Sequence, residues 1–384
     1  MRFRFTQEQE ALRERVRTFA ASHVAAAVLA MEESDVFPRA LVDEMGRQGL
    51  LGLPIASEYG GSGCDMVAYM LAIEEISRVS AAVGVILAVH TSVGTLPIVY
   101  HGTPEQKRRC LPQLASGAWL GAFALTEPHA GSDASTIRTA AVRSGDAYVL
   151  SGSKVFITNA GEADQYLLFA ALQDASAAAP DDLRTGTSGM TAFLVGKDTP
   201  GFRVGKKEKK MGLRGSNTCE LILEEARIPA SQRLGAEGQG FRIAKSALSG
   251  GRIGIGAQAL GIARAALSQA ELGMREAPPR QRERAASELR EMAAQVEAAA
   301  LLVYRAADLL RQGRPCAMEA SMAKMFASDT AMSVATRALQ WCGGGGLTEE
   351  QPAERLFRDA KVTQIYEGTN EIHRIVISGE LLKR

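Results

Sequence analysis

The sequence has few cysteines and no excess of charge of either sign. Its 384 residues include five scattered cysteines, and no two of them are spaced as Cys-x-x-Cys. This pattern argues against a disulfide framework and against a zinc cluster. Lysine and arginine number 44 against 43 aspartates and glutamates, whereas a nucleic-acid-binding protein usually carries a strong basic excess. We therefore expect neither a bound metal nor a nucleic-acid partner.

Long apolar segments are also missing. Residues 1–10 contain no apolar signal core, and no uninterrupted apolar run reaches the roughly 18 residues that suggest a membrane span. Hydrophobic residues make up 46% and charged residues 23% of the chain, which is ordinary globular composition. We expect a cytoplasmic protein with no membrane partner.

What the sequence does contain is a change of pattern, from helical to strand-like and back. Capping-box spacing at Thr6 and again at Thr103, followed by apolar stripes of helical period, predicts helices. Short apolar runs between Gly, Asn and Asp residues then predict strands. The chain is predicted to be α+β, with an all-helical N-terminal domain at 1–120, a middle antiparallel β domain at 121–232 and a C-terminal helical bundle domain at 233–384.

The element predictions within these domains follow from the same periodicities. Strands are expected at 121–126, 137–142, 148–151, 154–158, 165–170, 191–195 and 219–223. Long helices are expected at 238–274, 282–312 and 317–340, a last helix at 369–382, and a surface loop at 174–190.

Two motifs carry residues suited to a ligand or to proton transfer. Residues 340–346 read Gln-Trp-Cys-Gly-Gly-Gly-Gly, and such glycines either let backbone N–H groups approach a phosphate or simply end a helix. Glu367 lies in an apolar-aromatic stretch before Gly368 and a helix-capping Thr369. A carboxylate partly removed from water can act as a base near neutral pH; the alternative is an ordinary solvated glutamate at a helix start.

Two further motifs lie at the ends of predicted strands. Thr126 ends one predicted strand and Ser132 lies in the turn that follows, where hydroxyls and free N–H groups suit the polar edge of a planar cofactor or form a common turn. Phe156 and Thr158 face the same side of another strand. They either dock a flat ring together or are a core aromatic beside a strand-end threonine.

The order and spacing of these motifs resemble the acyl-CoA dehydrogenase family along essentially the whole chain, and most closely its short-chain, butyryl-type branch. The resemblance rests on six stretches, at 123–133, 152–159, 206–216, 250–255, 340–346 and 365–370. It implies an N-terminal helical domain, a middle β domain and a C-terminal four-helix bundle.

The resemblance also implies an activity. Members of this family are flavoproteins that bind FAD non-covalently and oxidise an acyl thioester to its trans-2-enoyl thioester in fatty-acid β-oxidation. A carboxylate removes the pro-R α-proton while a hydride leaves the β-carbon for flavin N5. Electrons then pass to an electron-transfer flavoprotein. The expected assembly is a homotetramer, a dimer of dimers, and the expected substrate is a short-chain acyl-CoA.

Residue by residue, Glu367 matches the catalytic base of the family. Its main-chain N–H would donate to the thioester carbonyl, together with a flavin ribityl hydroxyl, as in an oxyanion hole. The residues that match substrate contacts are Ser132, Ser249, Arg252 and Gly368. Those that match FAD contacts are Phe123, Leu125, Thr126, Ser132, Phe156, Ile157, Thr158, Gln340, Gly343, Gly344, Thr369, Asn370 and Glu371, with Gln340, Gly343 and Gly344 meeting the FAD of a neighbouring subunit.

Two positions distinguish this chain within the family. Isovaleryl-type and long-chain-type members carry their base at the position of Gly251, so the glycine here leaves that role to Glu367. The usual Arg-x-x-Phe-Gly stretch, whose arginine meets the FAD pyrophosphate across the subunit interface, is absent from residues 273–284. Arg275 or Arg280 is the substitute that the sequence offers, since either can pair with phosphate.

Two alternative functions remain open at this point. The first is dehydrogenation of an acyl-carrier-protein thioester in a biosynthetic pathway, which would change the carrier but keep the chemistry. The second is a catalytically silent structural subunit that lacks FAD, which the shortened 275–284 region suggests. Retention of Glu367, Thr126, Ser132 and Thr158 argues against the second.

Overall fold

The computed structural model describes residues 4–173, 189–275, 277–349 and 351–383. The surface loop expected at 174–190 falls outside the described residues except for its last two positions. Within the described chain, helices come first, a β sheet follows, and long helices return.

The N-terminal part is helical, as predicted. Its helices are α1 Gln7–Phe19, α2 Ala25–Ser34, α3 Arg39–Arg47, α4 Met66–Val79, α5 Ala81–Ala88, α6 Leu96–His101 and α7 Pro104–Ser116. Both predicted capping boxes are present, with Thr6 paired to Gln9 and Thr103 paired to Gln106. Between α5 and α6 the helix widens into a π turn, Val89–Thr95, a local irregularity that is frequent near functional sites.

The middle part forms one sheet of eight strands among the described residues. The strands are β1 Gly121–Ala124, β2 Ala140–Ser144, β3 Ala147–Thr158, β4 Gln165–Gln173, β5 Met190–Gly196, β6 Phe202–Lys207, β7 Thr218–Pro229 and β8 Arg233–Leu234. Their order is β6-β7-β3-β2-β4-β5-β8, with β1 paired to β4.

The sheet is mixed, which corrects the prediction of a wholly antiparallel domain. Most pairs are antiparallel, but β1 and β2 both run parallel to β4. Neither strand is joined to β4 by a tight hairpin, and only such a hairpin would force an antiparallel pair. The sequence also gave no signal for β6 or β8. β6 is a charged edge strand, a common way to protect a sheet edge, and β8 is only two residues long.

The C-terminal helices are α8 Gly240–Arg275, α9 Arg282–Arg311, α10 Ala317–Trp341, α11 Pro352–Thr363 and α12 Asn370–Leu382. The three long helices and the last helix are confirmed, whereas α11 was not predicted. α8 lies at the centre, between α10 and α4. Gly261 permits the close approach to α4, since a Cβ there would come within 2.5 Å of the Glu74 carbonyl oxygen.

Three clusters of buried apolar side chains hold these layers together. The largest joins N-terminal and C-terminal helices and includes Leu71 and Leu260. A second lies within the sheet around Phe193. The third packs the sheet against the end of the N-terminal helices and the start of α8, through Leu111 and Ile243. Because α8 takes part in two of the clusters, it connects the sheet to the helical layers.

In the part of the chain that the structure describes, one helical stretch is long and apolar enough to cross a membrane. This stretch is Ala81–His101, and 94% of its most apolar window is buried inside the fold. That location is typical of a core helix.

A buried ion pair fixes the end of β1 against β3. The Nζ atom of Lys154 lies 2.7 Å from Glu127 Oε1, and both side chains are shielded from solvent. Lys154 also donates to the Leu125 carbonyl at 3.1 Å, and Glu127 accepts from Thr139 Oγ1 at 2.6 Å. Burial lowers the pKa of Lys154 to about 8, against the opposing charge of Glu127. The loop that carries Thr126 is therefore held from inside the fold.

Replacing this lysine tests how much the buried pair contributes. We expect Lys154→Met to lower the free energy of unfolding by about 3–5 kcal/mol, because Glu127 would keep a buried charge without its cation. The control is Lys197→Met, which removes the exposed Lys197–Asp164 pair and should cost less than about 1 kcal/mol. Denaturant unfolding followed by circular dichroism measures both, and equal midpoints for the two variants would contradict this account.

Candidate active site

Glu367 lies in the turn between α11 and α12, in a backbone conformation that side chains rarely adopt. Its φ is 54° and that of Gly368 is 96°. For a residue with a Cβ atom, this left-handed region costs about 1–3 kcal/mol and often marks a functional position. Thr369 then caps α12 by accepting a hydrogen bond from Ile372 N at 3.4 Å. The strained turn directs the Glu367 side chain toward α8.

The Glu367 carboxylate reaches α8 at a glycine. A Cβ atom placed on Gly251 would lie 2.6 Å from Glu367 Oε2 and 3.0 Å from Val93 Cγ1. Glu367 and Val93, which belongs to the π turn Val89–Thr95, therefore both border the position above Gly251. The position where other family branches are expected to carry the base thus adjoins the Glu367 carboxylate.

Enclosure changes the acidity of this carboxyl group. Glu367 Oε2 is inaccessible to solvent and has no hydrogen-bond partner among the described residues. Burial raises the pKa of Glu367 to about 7, and the positive charges of Arg252 and Lys324 oppose that rise. A carboxylate with a pKa near neutrality can accept a proton during a reaction and release it afterwards.

The backbone of the same turn has a free donor and a firm anchor. Within the described chain, the Glu367 N–H donates to no other group, as expected of an oxyanion-hole donor. The adjacent Tyr366 hydroxyl donates to Gln258 Oε1 on α8, and Gln258 Nε2 donates to the Ala81 carbonyl at 2.8 Å. The turn is thus tied to both α8 and α5.

A second cluster of predicted residues meets at the ends of β1 and β3. Val155 N donates to the Thr126 carbonyl at 2.9 Å, which places Thr126 beside the strand that carries Phe156 and Thr158. Phe156 has a φ of 57° and its side chain is 65% exposed. Thr126 and Thr158 are half-buried. An exposed aromatic ring on the same strand as one half-buried threonine and beside the loop of another suits a planar ring with polar edges, so these residues fit an isoalloxazine group.

The other predicted contacts on these strands are available only through the main chain. Leu125 and Ile157 have buried side chains that belong to the apolar clusters. The half-buried ring of Phe123 packs against Phe169, with ring centroids 5.1 Å apart.

The predicted substrate contacts are divided between two places. Arg252 and Gly368 lie beside Glu367, and Arg252 Nε has no partner among the described residues. Burial lowers the pKa of Arg252, and the Glu367 charge opposes this. Ser132 lies in an exposed turn, and Ser249 Oγ donates to the Lys245 carbonyl at 3.0 Å along its own helix.

The predicted contacts to a neighbouring subunit's FAD lie on the surface at the end of α10. Gln340, Gly343 and Gly344 are exposed, and a Cβ atom placed on either glycine would meet nothing within 4 Å. Their backbone is thus open to an approaching ligand, as the expected cross-subunit contact requires.

The arginines near the missing Arg-x-x-Phe-Gly stretch differ in their surroundings. Arg275 ends α8 and pairs with Glu271 at 2.5 Å. Arg280 lies in the short turn Pro279–Gln281 and, within the described chain, forms no ion pair. Of the two, Arg280 has its charge free for an anionic ligand.

The three predicted cofactor contacts after Gly368 have different environments. Thr369 uses its side chain as the cap of α12. Asn370 is buried, its side-chain amide donates to Ser328 Oγ at 3.0 Å and to Asp329 Oδ1 at 2.8 Å, and its main-chain N–H donates to the Gln364 carbonyl at 3.1 Å. Glu371 is exposed and lies 3.5 Å from Arg374.

Two buried residues beside the Glu367 turn were not predicted. Lys324 donates to the Gly368 carbonyl at 2.7 Å, and His373 lies near enough that a Cβ on Gly368 would come 3.2 Å from its ring. Burial lowers the pKa of His373 to about 3, so it is neutral. The available signal for Lys324 was its place among alanines on the buried face of α10, where an unpaired lysine is rare.

Comparison with known proteins places this arrangement in a family. The models of the acyl-CoA dehydrogenase N-terminal, middle and C-terminal domains match residues 6–118, 122–226 and 238–382. An acyl-CoA dehydrogenase of Bacillus subtilis (strain 168) is 55% identical over 382 residues, covering 98% of each chain. The chain belongs to the acyl-CoA dehydrogenase family.

Solved structures agree with this assignment over the full length. Butyryl-CoA dehydrogenase from Megasphaera elsdenii is 42% identical, with a TM-score of 0.94 and complete coverage of both chains. A chain from the structure described as the electron transferring flavoprotein of Acidaminococcus fermentans is 45% identical, with a TM-score of 0.95 and complete coverage of both. The predicted fold, N-terminal and C-terminal helical parts around a β sheet, is confirmed.

The contact between Gly251 and Glu367 yields a direct prediction. We expect Gly251→Ala to lower turnover about 10²-fold, because the added methyl group would push the flexible carboxylate away from its position. Alanine favours a helix more than glycine does, but the methyl group would also press on Val93, so circular dichroism checks that the variant is folded. The control is Gly379→Ala, where a Cβ atom meets nothing within 4 Å. Turnover of Gly251→Ala equal to that of the control would refute the importance of this contact.

Proposed function

We propose that this protein is an FAD-dependent acyl-CoA dehydrogenase that converts a short-chain acyl-CoA into the trans-2-enoyl-CoA. The observation that carries the proposal is the Glu367 carboxylate, which lies against Gly251 of α8 with a raised pKa and with no hydrogen-bond partner for Oε2 among the described residues. A group in that state is suited to take a proton from a bound substrate. The similarity to butyryl-CoA dehydrogenase supports a short acyl chain.

The chain's own residues supply binding, orientation and proton transfer. The free N–H of Glu367 donates to the thioester carbonyl oxygen, which makes the α-proton more acidic and stabilises the enolate as it develops. The Glu367 carboxylate removes that α-proton, and the new O–H bond forms on its side chain. Bound FAD supplies the acceptor for the hydride that leaves the β-carbon.

The cofactor and the partners belong to the same proposal. Phe156, Thr126 and Thr158 would hold the ring of FAD. Gln340 and the open glycines after it would meet the FAD of a neighbouring subunit in a homotetramer, a dimer of dimers, and Arg280 is the candidate for its pyrophosphate. The likeness to a chain from an electron transferring flavoprotein structure supports such a flavoprotein as the electron acceptor. We place the reaction in fatty-acid β-oxidation in the cytoplasm.

Anaerobic titration of the purified protein with butyryl-CoA tests this proposal. We expect a yellow protein whose visible flavin absorbance bleaches as the substrate is added, because the α-proton and the β-hydride are removed together. A yellow protein that bleaches only with a carrier-protein thioester would move the substrate to the biosynthetic alternative. A colourless protein that cannot be reconstituted with FAD would refute the proposal in favour of a structural subunit.

The pKa of Glu367 sets the expected pH dependence. The carboxylate must be ionised to accept the proton, and burial raises its pKa to about 7. The rate of flavin reduction at low butyryl-CoA concentration should therefore rise with pH through about 7 and fall below it. An acid limb near pH 4.3, the ordinary value for glutamate, would contradict the enclosed state of this carboxylate.

A further inference from the structure

Lys324 is a buried cation that the reaction described above does not use. It lies in the N-terminal third of α10, and it is 0% exposed. Taking an ammonium group out of water is costly unless it is paired and hydrogen-bonded. The surroundings of this group must therefore compensate for its burial.

The hydrogen bonds of Lys324 lead to the turn that carries Glu367. Its Nζ donates to the Gly368 carbonyl at 2.7 Å and to Asn370 Oδ1 at 3.1 Å. Asn370 is held in turn by Ser328, whose Oγ donates to the same Oδ1 at 3.2 Å. The Lys324 side chain of α10 is thus hydrogen-bonded both to the backbone immediately after Glu367 and to the side chain of the first residue of α12.

The charges around Lys324 come from three directions. From the turn and α12 it is faced by Glu367, Glu371 and the neutral His373; from α8 by Arg252; and from its own helix by Asp329. Burial lowers the pKa of Lys324 to about 7, and the carboxylates, first of all Glu367, oppose that lowering. The ionised carboxylate and the protonated lysine therefore stabilise each other.

We propose that Lys324 is a positioning residue for the catalytic base: it holds the Gly368 carbonyl so that the Glu367 carboxylate stays above Gly251, and its charge favours the ionised form of that carboxylate. The inference rests on the proposed function, since it gives Glu367 the role of base. Lys324 transfers no proton itself. The substrate C–H bond breaks and the O–H bond forms on Glu367, while Lys324 keeps its hydrogen bond to the Gly368 carbonyl.

Replacing Lys324 should have one effect if the lysine is only structural and a different effect if it positions Glu367. Loss of a structural anchor would lower stability and leave the ionisation of Glu367 unchanged. Loss of a positioning cation would raise the pKa of Glu367 further. Burial already raises this pKa, and the charge of Lys324 is one of the two that hold it down, the other being that of Arg252. The acid limb of the rate profile therefore separates the two roles.

The test compares Lys324→Met, Lys324→Arg and the wild-type holoenzyme by stopped-flow reduction with butyryl-CoA across pH. For Lys324→Met we expect reduction about 10²-fold slower near neutral pH, as for a base displaced by about 1 Å, and an acid limb moved to higher pH. Lys324→Arg keeps the charge, so its acid limb should stay at the wild-type position. The matched control is Ser321→Ala, a buried change one turn earlier on α10 at a hydroxyl that has no hydrogen-bond partner among the described residues.

An acid limb of Lys324→Met that coincides with the wild type would overturn the inference, whatever the change in rate. If Lys324→Met does not fold, Lys324→Arg decides alone, since a shift of its acid limb to higher pH would refute the role of the charge. Failure of the proposed function is a separate result, in which the wild-type holoenzyme itself is not reduced by butyryl-CoA.

Discussion

The structure depends on the close approach of one carboxylate to one glycine. Glu367 Oε2 occupies the space that a side chain on Gly251 would need, and a left-handed turn at Glu367 and Gly368 brings it there. The turn is energetically unfavourable by itself. It persists because neighbouring elements hold it from several sides, through Tyr366 on Gln258 of α8, Lys324 of α10, and the Thr369 cap of α12. The raised pKa of the carboxyl group is a consequence of the same enclosure.

A buried lysine stabilises each of the two parts of the site, the loop after β1 and the turn that carries Glu367. Lys154 and Lys324 are fully buried, and each ends its side chain on a backbone carbonyl in a loop of the site, at Leu125 and Gly368. Each ammonium also lies near a carboxylate, Glu127 in the first case and Glu367 in the second. The two carboxylates differ: Glu127 accepts hydrogen bonds from several donors, whereas Glu367 Oε2 accepts none from the described residues. The ion pair of Lys154 and Glu127 is therefore a structural support, whereas Glu367 is available as a base.

The sequence predicted most of the helices and the motifs, because those signals are local. The periodicity of α8, α9 and α10 was sufficient to place them, and the capping residues Thr6 and Thr103 marked two helix starts. The sequence did not predict the parallel pairing of β1 and β2 with β4, because this pairing depends on contacts between strands far apart in the chain. That Gly251 and Glu367 are adjacent was predicted only from the family resemblance. The role of Lys324 was not predicted at all. A lysine among alanines has no sequence feature that reveals which backbone carbonyl it will meet.

The central claim is that Glu367 is the base, and a single-turnover measurement on Glu367→Gln tests it most directly. The variant keeps the shape of the side chain and leaves Thr126, Phe156 and Thr158 unchanged, so it should bind FAD as the wild type does. At equal flavin content, we expect butyryl-CoA to reduce it at least about 10²-fold more slowly than the wild type, as for loss of a general base. Reduction at a rate close to that of the wild type would contradict the account, because the α-proton would then be leaving to another group.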